Sequence, residues 1–380
     1  MSTHSTLTAR SGTVRERWIV PASLLTSAAV VFATTVTLTW LSTPAVRSAE
    51  ELLPKHVTPE TLKAVRAGLD YLARNQGSTG GWQSDSGWGA YPVAVTSLAG
   101  MAFLANGNSP TRGPYAPQVR ATVEYLMKCT HSNGLLSSGA RADGADGDSR
   151  GPMHGHGFAL LFLASVYGME TKESVRVQMK DAIDKAILLT ARAQSGYGGW
   201  TYSPGGGDEG SVTVTQVQAL RAAQNAGFNV PRATIEEAVR YIERCSTPEG
   251  GICYSLSSGG SARLAISAAA VATLYNAGEY DAPVAERCLG FVWERFRSGK
   301  GWSKGGGHDF YTHLYASQAY YMAGDKYWDV YFPETRDELL KMQDKSEGSW
   351  NGDGIGKTYG TAIALIILQL PYKFMPVYQR

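Results

Sequence analysis

Hydrophobic and polar residues are distributed along this chain in two distinct patterns. In 62–76, "LKAVRAGLDYLARNQ", Leu62, Val65, Leu69 and Leu72 recur at three- and four-residue spacing and charges fill the other face. That pattern predicts a surface helix. The stretch 94–107, "AVTSLAGMAFLANG", carries no charge. A helix that is apolar or small on every side is typically buried, so the two stretches predict one outer and one inner helix.

A glycine-rich turn with a bulky residue separates the two helices, and it recurs. The bulky residues are Trp82, Leu135, Trp200, Ile252, Trp302 and Trp350. A period of about fifty residues indicates a repeat architecture. Further outer helices are predicted at 117–129, 176–194, 231–245, 283–297 and 333–345, and further inner helices at 156–167, 212–226, 264–277, 311–323 and 359–370.

Prolines and glycines mark the ends of the predicted helices. Pro231, Pro283 and Pro333 stand at or near the starts of outer helices, where a proline costs no helical hydrogen bond. Glycines suited to C-terminal caps end the inner ones, at Gly107, Gly168, Gly227, Gly278 and Gly324. Six such hairpins predict an all-α fold, a double-layered α/α toroid (α6/α6 barrel) with parallel inner helices. An open superhelical solenoid is the alternative.

The N-terminal region has a different character. Arg10, Arg15 and Arg17 precede an uncharged run, within which 19–41 is long enough to span a bilayer. The arginines predict a cytoplasmic tail at 1–18, an inner-membrane anchor at 19–41, a linker at 42–57 and an extracytoplasmic (periplasmic) toroid at 58–380. A signal peptide cleaved near Ala45 or Ala49, giving a secreted protein, is the rival interpretation.

Composition narrows the function classes. The net charge of +2 and the lack of a Lys/Arg-rich patch give no indication of nucleic-acid binding. The four cysteines form no C-x-x-C motif. Cys245 and Cys253 flank one turn and could pair in an oxidising compartment. Cys129 occupies the same repeat position as Cys245, which favours packing roles for both.

The turn sequences resemble a known family motif. Arg66, Tyr71, Gln76, Gly80 and Trp82 are similar to the QW motif of terpenoid cyclases (squalene-hopene and oxidosqualene cyclases) and to the repeat of protein prenyltransferase β subunits. The third unit keeps Gln194 and Trp200. The resemblance implies that each glutamine caps a helix end and stacks on the tryptophan. It covers roughly 58–380 and speaks to fold more than to function.

The catalytic signatures of those enzymes do not match. The segment 143–148, "DGADGD", lacks the D-x-D-D spacing of squalene cyclases, and the Asp-x-Cys zinc ligands of prenyltransferases are absent. Thr312 stands where the prenyltransferase histidine is expected, and His313 is one place on, about 100° around a helix. We therefore expect neither a metal nor a cofactor. The carboxylate pair of sugar-cleaving α/α barrels is not identifiable either.

Polar residues open each predicted inner helix, so they should share one mouth of the barrel. The segment 153–158, "MHGHGF", is also similar to a diphosphate-contacting His-Gly-Gly-Tyr segment of prenyltransferases. The candidate ligand-binding rim consists of His154, His156, Arg263, His308, Asp309 and His313. Other residues near this mouth are Tyr91, Asp208, Glu209, Asp353, Lys357 and Tyr359. For Asp208, Glu209 and Asp353, ordinary helix capping is the favoured interpretation.

These features predict a membrane-tethered toroid that binds an apolar, isoprenoid-like molecule with a polar head in its central cavity. The candidate cavity aromatics are Phe158, Tyr311, Tyr315 and Tyr320, which could equally fill a closed core. The alternatives are an active cyclase or prenyltransferase-like enzyme and a purely structural interaction scaffold.

Overall fold

A computed structural model describes residues 53–84, 91–139, 151–300 and 308–378. The outer helices are α1 (Pro59–Arg74), α3 (Ala116–Lys128), α5 (Glu173–Ala193), α7 (Arg232–Arg244), α9 (Pro283–Arg295) and α11 (Asp325–Met342). The inner helices are α2 (Pro92–Ala105), α4 (Pro152–Tyr167), α6 (Gly210–Asn225), α8 (Leu264–Ala277), α10 (Asp309–Ala323) and α12 (Lys357–Gln369). In these ranges extended structure is limited to isolated bridges at the turns.

The two kinds of helix differ in burial as their sequences predict. Every residue of α2 is buried, whereas α1 buries one face and exposes its charged side chains. Each inner helix packs against the next inner helix along the chain, and α12 packs against α2. The six inner helices therefore form a closed ring, the predicted α/α toroid is confirmed, and the open solenoid is ruled out.

The turn glycines fix the spacing between neighbouring hairpins. Gly80 has φ +93°, and a Cβ there would lie 2.3 Å from the carbonyl oxygen of Ala121 in α3. Gly348 has φ +86°, and its Cβ would lie 2.5 Å from the carbonyl oxygen of Ala67 in α1. A side chain at either position would force the hairpins apart and would also strain the left-handed backbone. The turn glycine is thus a contact point between one repeat and the next.

The tryptophans of these turns close the ends of the outer helices. The indole Nε1 of Trp82 donates to the carbonyl oxygen of Leu72, and Trp200 and Trp350 repeat the contact with the last turns of α5 and α11. The backbone N–H of each tryptophan also donates to a threonine hydroxyl on the following inner helix. Each tryptophan therefore ties the outer helix to the inner helix of its own hairpin. Trp302 lies outside the described residues.

The glutamines join neighbouring hairpins. The amide of Gln76 donates to the carbonyl oxygens of Gly80 and Gln118, at 2.8 and 3.0 Å. Gln194 makes the same pair of bonds within its own turn and to α7. Gln343, which sequence analysis did not select, makes them to its own turn and to α1. In each of these three turns, one of the two amide hydrogen bonds reaches the next outer helix of the ring.

Two details of the sequence-based assignment need correction. In the second unit Leu136, not Leu135, is equivalent to Trp82, because its N–H bonds an inner-helix side chain. The outer helix predicted at 333–345 is α11, which starts at Asp325 and contains Pro333 in its interior. A proline inside a helix lacks the N–H for one helical bond, so Pro333 does not mark the start. All four cysteines are buried and none of them is in a disulfide, and Cys129 and Cys245 lie at equivalent helix ends.

The chain beyond α12 crosses the end of the barrel where the inner helices finish. Two short 3₁₀ turns, Leu370–Tyr372 and Pro376–Tyr378, follow α12, and the second packs against α6 on the opposite side of the ring. Met375, Val377 and Tyr378 are buried, each about 4% exposed. We call residues 370–378 the C-terminal plug, because it fills this end of the bore.

The membrane anchor predicted at 19–41 lies outside the described residues. Within the described ranges, no helix combines the length and apolarity needed to cross a bilayer.

Candidate functional site

The mouth formed by the N-terminal ends of the inner helices holds polar side chains from several repeats, and we call it the rim. His154 is the third residue of α4, Arg263 directly precedes α8, and His308 and Asp309 stand at the start of α10. Arg263 and His308 are exposed, and His154 and Asp309 are partly exposed. Four of the six predicted rim residues therefore lie at this end of the barrel with access to solvent.

His156 is not part of the rim surface. Its ring is fully buried between α4 and α5, where Nδ1 accepts from the N–H of Leu136 and Nε2 donates to the hydroxyl of Thr190. Burial lowers the pKa of His156 to about 4. In other repeats a threonine or serine hydroxyl of the inner helix accepts the equivalent backbone hydrogen bond. The prediction that His156 binds a ligand is corrected, because both ring nitrogens serve the repeat.

His313 also faces away from the mouth. It is 2% exposed, its Nδ1 lies 2.8 Å from the hydroxyl of Tyr331 in α11, and the two rings stack. Thr312 just before it bonds the carbonyl of His308 within its own helix. One residue is about 100° of helical rotation, so sequence position near the mouth did not decide the direction of the side chain. His313 supports the packing of α10 on the outer layer.

Glu209 caps α6, as favoured from the sequence, and its buried carboxyl group also begins a hydrogen-bonded chain at the rim. Glu209 is 1% exposed and accepts from the backbone N–H groups of Ser211 and Val212 at the start of α6. The Ser211 hydroxyl donates to Glu209 Oε2 at 2.5 Å, and His154 Nε2 lies 3.1 Å from the same hydroxyl. Glu209, Ser211 and His154 thus form one continuous hydrogen-bonded chain from α6 to α4.

Burial shifts both ends of this chain toward their neutral forms. It raises the pKa of Glu209 against the opposing effect of its hydrogen bonds, and it lowers the pKa of His154 to about 4. A neutral His154 can donate Nε2–H to Ser211 or, in the other tautomer, accept its proton. Because the Ser211 hydroxyl donates to Glu209, the hydrogen bonds run in one direction, from His154 Nε2–H through Ser211 to the Glu209 carboxyl.

Two tyrosines connect this chain to Arg263. The ring of His154 lies 5.8 Å from that of Tyr202, and the Tyr202 hydroxyl is 2.7 Å from the hydroxyl of Tyr254. The Arg263 guanidinium lies 5.0 Å from the centre of the Tyr254 ring. It makes no salt bridge within the described residues. A cation over an aromatic face beside two phenols provides donors for the polar group of a ligand.

The other acidic residues near the mouth bind backbone N–H groups: Asp353 caps α10, as favoured from the sequence, whereas Asp208 holds a loop. Asp208 accepts from the N–H groups of Leu256 and Ser257, which fixes the loop before α8. Asp353 accepts from the N–H groups of Phe310 and Tyr311 at the start of α10. Both carboxylates bind backbone from a different repeat, so they hold the rim together.

The bore below the rim is filled by aromatic side chains. Tyr311 reaches across it and donates to the carbonyl oxygen of Ser211 at 3.1 Å, while its ring lies 4.8 Å from that of Tyr315. Tyr320 instead packs against Trp293 and Tyr331 in the outer layer. Two small cavities of about 10 Å³ each, room for about one water, lie beside the C-terminal plug and between α10 and the outer layer.

No group of three or more His, Cys, Asp or Glu side chains in the described ranges is arranged to hold a metal ion.

Solved structures with similar folds include a type II terpene cyclase. The cyclase, MstE from Scytonema, was solved with its substrate geranylgeranyl dihydroxybenzoate; it matches with a TM-score of 0.57 at 14% identity, covering 84% of this chain and 98% of that one. In fold, the chain resembles the terpene cyclases. The α/α toroid expected from the QW-type repeat is thus confirmed at the level of fold.

Two other solved structures match with similar TM-scores. An alpha-1,6-mannanase from a Salegentibacter species matches with a TM-score of 0.56 at 9% identity, covering 83% of this chain and 99% of that one. A protein from Actinoplanes matches at 0.53 and 16% identity, covering 83% and 99%. No protein-family model and no curated protein matches the chain. Toroids as different as a cyclase and a mannanase share this architecture, so function must be argued from the site.

Proposed function

We propose that this chain is a membrane-tethered, extracytoplasmic toroid that binds an apolar molecule with a polar head at its rim. The observation that carries the proposal is the connected row His154, Tyr202, Tyr254 and Arg263, which crosses from α4 to α8. Arg263 and the two phenols supply donors for the head. The rings of Phe158 and Tyr202, on either side of His154, supply an apolar surface for the first part of the tail.

The location follows from the sequence of the N-terminal region. Arginines before an uncharged run of membrane-spanning length support a cytoplasmic tail and an extracytoplasmic toroid. Protease added to spheroplasts should digest the toroid. Complete protection of the toroid, released only when the cells are lysed, would place it in the cytosol and overturn this assignment.

Binding at the rim is tested with farnesol and farnesyl diphosphate as probes, using the full-length chain in amphipol. Arg263→Ala should weaken the binding of farnesyl diphosphate at least tenfold, because it removes the cation of the row. The matched control is Arg232→Ala, whose side chain is 91% exposed on α7. Both variants should melt within about 2 °C of the wild type, since exposed side chains contribute little to the core. Equal binding by the two variants would exclude the rim as the site.

A second candidate function is acid–base catalysis, favoured by the chain Glu209–Ser211–His154. Burial raises the pKa of the Glu209 carboxyl, which favours a role as proton donor, and the Ser211 hydroxyl links this carboxyl to His154. Turnover of farnesol or another polyene alcohol that is lost in Glu209→Gln, while binding persists, would establish an enzyme. Unchanged probe after prolonged incubation supports the binding function.

A further inference from the structure

The end of the barrel opposite the rim is filled by the chain's own C-terminal plug. After α12, Lys373 adopts a left-handed conformation with φ 59° and turns the chain across the bore. The plug then inserts Met375, Val377 and Tyr378 while leaving Phe374 half exposed. Ala105 of α2 and Ile366 of α12 line the small cavity that remains beside it.

The plug is attached by side-chain burial rather than by hydrogen bonds. Its backbone bonds run from Lys373 to Leu370 and from Tyr378 to Met375, both within the plug. From Phe374 to Tyr378, no hydrogen bond to the helices of the barrel is formed among the described residues. The burial of three side chains is opposed by the entropy of ordering the segment. Such a segment opens locally at a free-energy cost well below that of global unfolding.

The bore beneath the plug contains a polar group that the plug does not satisfy. Tyr315 is fully buried in α10, and its hydroxyl has no hydrogen-bond partner within the described residues. Tyr315 lies one helical turn beyond Tyr311 toward the plug, with its ring 4.8 Å from the Tyr311 ring in the bore. A buried hydroxyl without a partner costs free energy, which a suitable occupant would recover.

The lining of this end selects a neutral occupant. Among the residues around the cavity beside the plug, Lys373 is the single charged side chain, and it belongs to the plug itself. Gln369, the polar residue of the wall, already donates to the carbonyl oxygens of Ala102 and Leu365. An anionic group would therefore be buried there without a cation to pair with, at a large desolvation cost.

We propose that the C-terminal plug occupies a second binding chamber, and that a linear apolar molecule ending in a neutral hydroxyl binds there by displacing it. The apolar chain takes the volume of Met375 and Val377. The hydroxyl takes the place of the Tyr378 phenol and hydrogen-bonds Tyr315. This chamber opens at the end where the inner helices finish, so it is separate from the rim and does not depend on it.

Hydrogen exchange on the wild-type chain in amphipol tests displacement directly. Saturating decan-1-ol should raise amide exchange in 370–378 at least tenfold and leave α8 unchanged. Decanoate, which is matched in length but charged, should require at least tenfold higher concentration. Decan-1-ol that binds without changing exchange in 370–378 would overturn the proposal, as would a complete failure to bind.

Variants separate the plug from the hydroxyl. Val377→Asp should release the plug and tighten the binding of decan-1-ol at least fivefold. The control Val177→Asp, at a surface valine that is 58% exposed, should leave this binding unchanged. Tyr315→Phe should lower the affinity for decan-1-ol to the affinity for decane. Equal binding by Val377→Asp and wild type, or a hydroxyl preference that survives Tyr315→Phe, would contradict the proposal. Arg263→Ala should leave all of these results unchanged, which distinguishes failure here from failure at the rim.

Discussion

The Gln343 side-chain amide donates to the carbonyl oxygen of Ala64, 2.9 Å away and 279 residues earlier in the chain. This bond joins the last hairpin to the first, just as Gln76 joins the first hairpin to the second. The motif that links successive repeats therefore also closes the ring, and the closing link is fully buried while the Gln76 link is partly exposed.

Gln343→Ala should lower the free energy of unfolding by about 2 kcal/mol, because two hydrogen bonds are lost and two carbonyl groups lose a partner. Urea denaturation followed by tryptophan fluorescence measures the change. Gln178→Ala, at an exposed position of α5, is the matched control and should be neutral. If both variants unfold at the wild-type midpoint, the glutamine is not a significant link.

Gly134→Ala should destabilise the toroid by about 2–4 kcal/mol. Gly134 has φ +95°, and an added Cβ would lie 2.3 Å from the carbonyl oxygen of Lys185 in α5. Gly168→Ala should be neutral or slightly stabilising, since its φ is −69° and nothing lies within 4 Å of the added atom. Similar melting temperatures for the two variants would refute the role assigned to the turn glycines.

His156 should make the fold sensitive to acid. Its pKa in the folded protein is lowered to about 4 from an ordinary value of 6.5, so protonation favours the unfolded chain. The stabilisation from the neutral ring is complete above pH 6.5 and is lost as the pH falls from 6.5 toward 4. This loss amounts to about 3 kcal/mol for a shift of this size.

His156→Gln tests that dependence, because an amide can accept from Leu136 and donate to Thr190 without titrating. Urea midpoints at pH 7 and pH 4.5 should differ less in this variant than in the wild type. His154, whose pKa is also lowered although its side chain is partly exposed, remains in both proteins and sets the residual slope. An unchanged difference between the two pH values would show that His156 is not the responsible group.

Asp353→Ala should cost about 1–2 kcal/mol, because α10 loses the carboxylate that caps its first N–H groups. Asp353 also has φ +51°, a conformation that asparagine tolerates and alanine does not. Asp353→Asn should therefore retain most of the stability. Thermal unfolding of the pair gives the test, and equal losses in both variants would mean that the carboxylate charge, rather than capping geometry, is what matters.

The sequence alone determined the local structure and much of the fold. Helical periodicity separated amphipathic outer helices such as α1 from uniformly apolar inner helices such as α2, because burial on one side or on all sides imposes different compositions. The turn glycines and Trp82 revealed the repeat, since a positive φ and a buried indole restrict which residues are possible. Six repeats whose inner helices are apolar or small on every side then predicted a closed ring.

Tertiary structure alone decided which way individual side chains face. His154 and His156 are two residues apart, yet one lies at the rim and the other lies inside the repeat, because helical rotation separates them by about 200°. The buried state of Glu209 arises from neighbours in other repeats. The C-terminal plug shows no helical or strand periodicity, so its path across the bore depends on a surface that exists only after all six hairpins have closed.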